Sequence, residues 1–259
     1  MNEATYLYCL VRTPRNPLSA EVPPGLPGLS PPRALAVGEG LWLIVAGALL
    51  SEYGSAEIQR QLSDLSWVSD RALAHEAMIE HFSAIGAVLP MKLFTLFASD
   101  ERAIANIRDH RERLDRTLDR VEGRAEWGVR IRMDDVRARE VLAAEARESG
   151  AQSSGKAFLL RKKLEQDASR ELAGRLHAEM DATFAELAAG ASEAVRREPV
   201  AAPESGGRLL LDAAFLVPVQ GNAEFEAIVE RCASRLAPRA CDLTLTGPWP
   251  PYNFIEEAR

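Results

Sequence analysis

The chain has 259 residues, 47% of them hydrophobic and 27% charged, an ordinary globular composition with enough length for two cores. Its net charge of -7 argues against a general nucleic-acid binder, which needs a basic face. Three widely spaced cysteines, Cys9, Cys232 and Cys241, make neither a disulfide framework nor a zinc pattern. The longest apolar run, Leu41 to Leu50, is too short to cross a bilayer as a helix. Met1-Asn-Glu-Ala-Thr lacks the basic start of a signal peptide, so a cytoplasmic protein without membrane association is expected.

Thr5 to Arg12 is rich in aromatic and branched residues and apolar on both alternating faces, which predicts an inner strand covered on both sides. Residues 13–32 hold seven of the fifteen prolines, a density that excludes helix and central strand and predicts a stiff exposed loop. Leu41 to Leu49 reads as a second buried strand, followed by a short helix from Ser55 and a longer one from Ser69 to Ala87. His75, Met78, Ile79, Phe82 and Ile85 share one stripe of that helix, so His75 is expected to be buried and hydrogen-bonded rather than a metal ligand. Val88 to Phe94 is strand-like, with Pro90 removing a ladder donor and marking an edge or bulge. Ser99 then caps a helix whose stripe runs through Ile104, Ile107, Leu114, Leu118 and Val121 to Gly123 as its C′ residue.

The second half starts with Trp127, Val129, Ile131 and Met133 alternating with Gly128, Arg130 and Arg132, a half-exposed strand. Helix is expected over Asp134 to Glu148, a break over Ser149 to Gly155, and a long helix from Lys156 to Ala189. A weak strand at Pro199 to Ala202, a strong one at Leu209 to Val217, a helix over Asn222 to Leu236 and a strand at Asp242 to Thr246 complete the order. That order is βαββαβ, so the expected fold is α+β in two domains, the C-terminal one ferredoxin-like with a long helix. The expected boundaries are 1–123, with the Pro-rich loop at 13–32, then 124–247, then an aromatic and proline-rich tail at 248–259. In that tail Trp249, Tyr252 and Phe254 stand on a backbone stiffened by Pro248, Pro250 and Pro251. Such a segment is either a strap sealing a core or a contact for a partner, and both readings stay open.

No catalytic apparatus is visible. Val22-Pro-Pro-Gly-Leu-Pro-Gly28 lacks the lysine of a phosphate loop, and no Gly-x-Ser-x-Gly elbow occurs. His75, His81, His110 and His177 are scattered without a matched nucleophile. No catalytic, metal or cofactor residue is therefore assigned. Two other readings remain: a small-molecule-binding or regulatory module of two α+β domains, and an enzyme that converges residues such as His75 and Glu126.

Four stretches resemble the GvpL/GvpF family of gas vesicle proteins. They are Tyr6-Leu-Tyr-Cys9, His75 with the following Val88-Leu-Pro-Met-Lys-Leu-Phe94, Glu126-Trp-Gly-Val129, and Leu211-Asp-Ala-Ala-Phe-Leu-Val217 followed by Thr246-Gly-Pro-Trp-Pro-Pro-Tyr-Asn-Phe254. Lys92-Leu-Phe-Thr95 departs from the Arg-Phe-Gly-Thr common in the family. The resemblance implies a non-enzymatic accessory protein of gas vesicle formation, located at the vesicle or in the cytoplasm. Its implied partners are the hydrophobic shell protein and other accessory proteins, with no nucleic acid and no cofactor. An apolar shell subunit needs covering before assembly. The candidate contact residues are Leu89, Met91 and Phe94 around Pro90, and Trp249, Tyr252 and Phe254 in the tail.

Overall fold

A computed structural model describes residues 3–18, 21–148, 158–198 and 207–255. The chain forms two compact units, Met1–Ala125 with Trp249–Arg259, and Glu126–Pro248. The tail thus groups with the N-terminal unit rather than standing apart.

In the first unit, strand β1 (Glu3–Arg12) lies between β3 (Leu41–Leu49) and the short β4 (Ala87–Pro90), and β2 (Arg33–Gly38) pairs with the far side of β3. All these pairings are antiparallel, and β5 (Leu96–Phe97) joins the β4 side of β1 further along. Every β1 residue from Ala4 to Val11 is buried, as an inner strand with apolar residues on both faces requires. Strand β2 was not foreseen: its Arg-Ala-Leu-Ala-Val-Gly carries few β-formers. A two-residue turn ending in Gly40, at φ +62, brings it onto β3, so ladder hydrogen bonds supply what propensity does not.

Helices α1 (Leu50–Tyr53), α2 (Ser55–Gln61) and α3 (Leu65–Ser83) follow β3. Helix α3 starts four residues before the expected Ser69 because Asp64 caps it, accepting from the backbone N–H groups of Ser66 and Trp67. His75, Met78, Ile79 and Phe82 are buried as one stripe. Ile85 lies past the helix end and is exposed. The single helix expected from Ser99 to Gly123 is two, α4 (Asp100–Asp109) and α5 (Arg111–Val121), broken at His110. Ser99 caps α4 through Arg102 N–H, and Gly123 takes φ +67 beyond α5.

The second unit runs β6 (Arg124–Met133), α6 (Asp135–Glu148), α7 (Phe158–Ala189), β7 (Glu193–Arg196), β8 (Arg208–Pro218), α8 (Asn222–Leu236) and β9 (Cys241–Trp249). Its sheet order is β7-β8-β6-β9. The expected helix break at Ser149 to Gly155 and the weak strand at Pro199 to Ala202 lie outside the described residues. Ahead of that stretch β7 pairs antiparallel with β8, from Glu193 opposite Leu216 to Arg196 opposite Ala213. The core gathers Trp127, Val129 and Ile131 of β6, Ala213, Phe215 and Val217 of β8, one face of α8, and Met180 and Leu187 of α7. Phe215 sits between Phe184 and Phe225 at centroid distances of 5.7 and 5.5 Å, and burying such a ring contributes about 2–3 kcal/mol.

Gly86 marks a close approach between the α3–β4 turn and β1. A Cβ there would fall 2.3 Å from the Arg12 carbonyl oxygen, a backbone atom that cannot swing aside. Gly86→Ala is expected to lower stability by about 1–3 kcal/mol, read from the midpoint of urea unfolding.

Candidate functional site

The segment from β4 to β5 cannot pair continuously with β1, because it bulges outward between Pro90 and Leu96. Its polar groups are taken up instead by a buried side-chain network. Met91 N–H donates to the Tyr8 carbonyl at 2.9 Å, and Leu7 N–H donates to the Thr95 carbonyl at 3.0 Å, clipping both ends of the bulge to β1. Between them His75 Nε2 lies 2.9 Å from the Met91 carbonyl oxygen, which can only accept, so Nε2 carries the ring proton. Nδ1 then accepts from the Tyr6 hydroxyl at 2.8 Å, and the Tyr6 oxygen accepts from Phe94 N–H at 3.4 Å.

Burial holds the His75 pKa below its ordinary value, against the smaller opposing effect of the Met91 bond. Burial likewise pushes the Tyr6 hydroxyl far up and that of Tyr8 to about 12. The Tyr8 ring stacks on His75 at 5.7 Å, and its hydroxyl accepts from Leu26 N–H, which anchors the Pro-rich loop. Phe94, at φ +66, holds a left-handed conformation that a non-glycine residue rarely adopts. Its ring stacks on Trp67 at 5.4 Å, a contact that offsets part of that strain.

Beside this network lies a groove of about 520 Å3. Its floor is Leu7, Leu89, Pro90 and Met91; one wall is Ala72, His75 and Glu76 of α3 with Tyr252 and Ile255 of the tail; the other is Asn106, Ile107 and Leu114 of α4 and α5. Most of this lining is apolar. Among its polar members, Glu76 accepts through Oε2 from the Tyr252 hydroxyl, while its Oε1 is buried without a hydrogen-bond partner. Burial raises the Glu76 pKa, the Tyr252 bond opposes this, and the charge of Glu80 adds to it.

Of the six candidate contact residues, the groove brings together Leu89, Met91 and Tyr252. Leu89 is 3% exposed and reaches the groove only as floor. Phe94 packs on Trp67 and Tyr53 instead. Phe254 is buried, and its carbonyl accepts from the Arg120 guanidinium, so this residue acts as a strap. Trp249, 41% exposed, is the tail aromatic left on the surface. Sequence reasoning missed Glu76, Ile107 and Leu114. An acidic residue on a helix reads as solvated until the tail that covers it is placed.

Both ring nitrogens of His75 bond to protein groups, and Glu126 is buried and engaged within the protein. Among the described residues, no group of three or more His, Cys, Asp or Glu is placed to hold a metal ion. No helix there is long and apolar enough to cross a membrane.

The site is thus a mostly apolar groove bordered by a few polar side chains, in a mixed helix-and-sheet protein. Residues 4–256 match the family described as gas vesicle synthesis protein GvpL/GvpF, and the chain belongs to that family. It is 33% identical over 265 residues to gas vesicle protein L of Streptomyces sp. (strain CB03234), covering 96% of this chain and 91% of that one. Its fold is similar to the crystal structure of GvpF from Anabaena sp. PCC7120, with a TM-score of 0.70 at 18% identity over 98% and 97% of the two chains. GvpF from Microcystis aeruginosa gives a TM-score of 0.67 at 15% identity over 99% of each. Membership implies a role in gas vesicle formation.

Two outcomes are expected. A histidine with a depressed folded pKa is held neutral, so on acidification the unfolded state takes up its proton first. The stability His75 contributes is therefore full above the unfolded pKa of about 6.5 and declines as pH falls below it. Thermal unfolding from about pH 7 to about pH 5 is expected to show a steeper loss in the parent than in His75→Gln, which cannot titrate. The tail supplies the second contrast: Phe254→Ala is expected to cost about 3–5 kcal/mol, and Trp249→Ala no more than about 1 kcal/mol, in chemical denaturation.

Proposed function

We propose that this chain is a non-enzymatic accessory protein of gas vesicle formation that binds the hydrophobic shell protein, other accessory proteins, or both, during assembly. The observation that carries this reading is the family match over residues 4–256. The chemistry of the groove supports it. Both ring nitrogens of His75 are committed to protein partners, so this histidine is not a free base beside the cavity. The tyrosine hydroxyls are held protonated by burial, and so is the Cys9 thiol. Such groups suit contact rather than turnover.

The second unit is read as a ferredoxin-like domain. Strand order β7-β8-β6-β9 and the succession of strands and helices from β6 to β9 support that reading. Domain limits near 125 and 248 follow from the same grouping. The family's role supports the reading of the partners and of action at the vesicle or in the cytoplasm.

The test is co-expression with the shell protein of the same gene cluster, purification by a tag on this chain, and a comparison of the parent with Trp249→Ala. Trp249 is the variant of choice because truncating the tail would also remove the Phe254 strap. Retention of the shell protein by the parent is the expected result, with several-fold weaker retention by Trp249→Ala at unchanged melting temperature if the exposed ring is a contact. Absence of the shell protein and of every other vesicle protein from the purified parent would sink the proposal.

A further inference from the structure

We propose that the groove and the adjoining outer face of α3 form one docking surface for an amphipathic helix of a partner protein that carries a lysine or arginine at the border of its apolar face, the cation pairing with Glu76. This rests on the reading of the chain as a binding protein of vesicle assembly and names the surface and the chemistry of what it binds.

Two observations carry it independently. The first is the state of Glu76. Its Oε1 is buried with no hydrogen-bond partner, and the charge that acts on its carboxyl is another acid, Glu80. Lys92, the other charged residue on the lining, is engaged within the protein. A buried acceptor left unpaired costs about 1–3 kcal/mol, and a donor brought by a ligand recovers that cost. An ammonium or guanidinium does so best, since it also neutralises the carboxylate in a water-poor groove.

The second observation sets the size of the occupant. Positions 65, 69, 72, 73 and 76 of α3 fall within one stripe roughly 100° wide. Ala72 and Glu76 of this stripe line the groove, while Leu65 and Leu73 are 81% and 68% exposed. With the exposed Ser69 between them, Leu65 and Leu73 carry apolar side chains out of the groove and along the helix over about three turns. That is longer than a small amine can cover and matches a helix laid along α3, with large side chains entering the groove. A segment that is helical, apolar on one face and basic at its border satisfies the groove, the leucines and Glu76 together.

The experiment uses the whole purified chain and capped amphipathic helical peptides of about 16 residues, alike except that one border position is lysine, norleucine or glutamate. Affinity is read by isothermal titration. The lysine peptide is expected to bind at least about tenfold more tightly than the glutamate twin. Glu76→Gln keeps an acceptor for Tyr252 but removes the charge; it is expected to weaken the lysine peptide about tenfold and leave the norleucine peptide unchanged. Leu73→Glu, on the exposed side of α3 where folding does not depend on it, is expected to weaken all three. Circular dichroism verifies that both variants remain folded.

Equal binding of the lysine and glutamate peptides, or no effect of Glu76→Gln, overturns the role of Glu76. No effect of Leu73→Glu overturns the surface along α3. Heptylammonium binding as tightly as the lysine peptide would make the groove a small-amine site and refute docking. If no peptide binds while the chain still co-purifies with vesicle proteins, the groove proposal fails and the accessory role stands.

Discussion

The first unit depends on how the chain satisfies an interrupted sheet edge. Between β4 and β5 the backbone leaves β1, and buried N–H and C=O groups without partners would each cost about 1–3 kcal/mol. Tyr6 and His75 meet that demand from two other elements, one on the inner strand and one on α3. The chain of bonds from Phe94 N–H through Tyr6 and His75 to the Met91 carbonyl therefore fixes three things together: the ring tautomer, the course of residues 91–95 and the angle at which α3 crosses the strand. Such networks are cooperative in a poorly polar interior, so removing one member exposes the others to the same penalty.

The groove is a consequence of that arrangement. Past Pro90 the backbone leaves β1, and Met91 lines the groove together with the buried Leu89 and Pro90 at the end of β4. The tail completes one wall. Phe254 and the Arg120 guanidinium anchor it, which brings the Tyr252 hydroxyl onto Glu76. The same short segment thus acts as strap at Phe254, as site wall at Tyr252 and as surface at Trp249. The strap reading of the tail applies at Phe254, and the contact reading at Trp249 and Tyr252 stays a proposal.

Burial shifts the titratable groups behind and along the groove toward their neutral forms, Glu76 included. Burial keeps His75 neutral, keeps Tyr6 and Tyr8 protonated and raises the Cys9 thiol, so none is poised to exchange a proton near neutral pH. On the groove lining, Glu76 keeps a buried oxygen without a hydrogen-bond partner.

The sequence by itself determined the elements whose pattern is dense. The alternation of Trp127, Val129 and Ile131, the buried run of β1, the α8 helix and the Ser99 cap each rest on side chains close together in the chain, where local sterics and burial act directly. It also determined that His75 is a buried, hydrogen-bonded histidine, since its neighbours at helical spacing are Met78, Ile79 and Phe82. Tertiary structure decided what local pattern cannot encode. Strand β2 forms because β3 offers it a ladder, and β7 lies at Glu193–Arg196 because β8 pairs with it there. His110 splits a helix that periodicity alone reads as continuous. The site was the least legible part: Glu76, Ile107, Leu114 and Tyr252 are separated by up to 176 residues and meet only when the tail returns to the first unit. Periodicity reports which face of an element is buried; which distant segment buries it, and which polar atom is then left without a partner, is set by the packing of the whole chain.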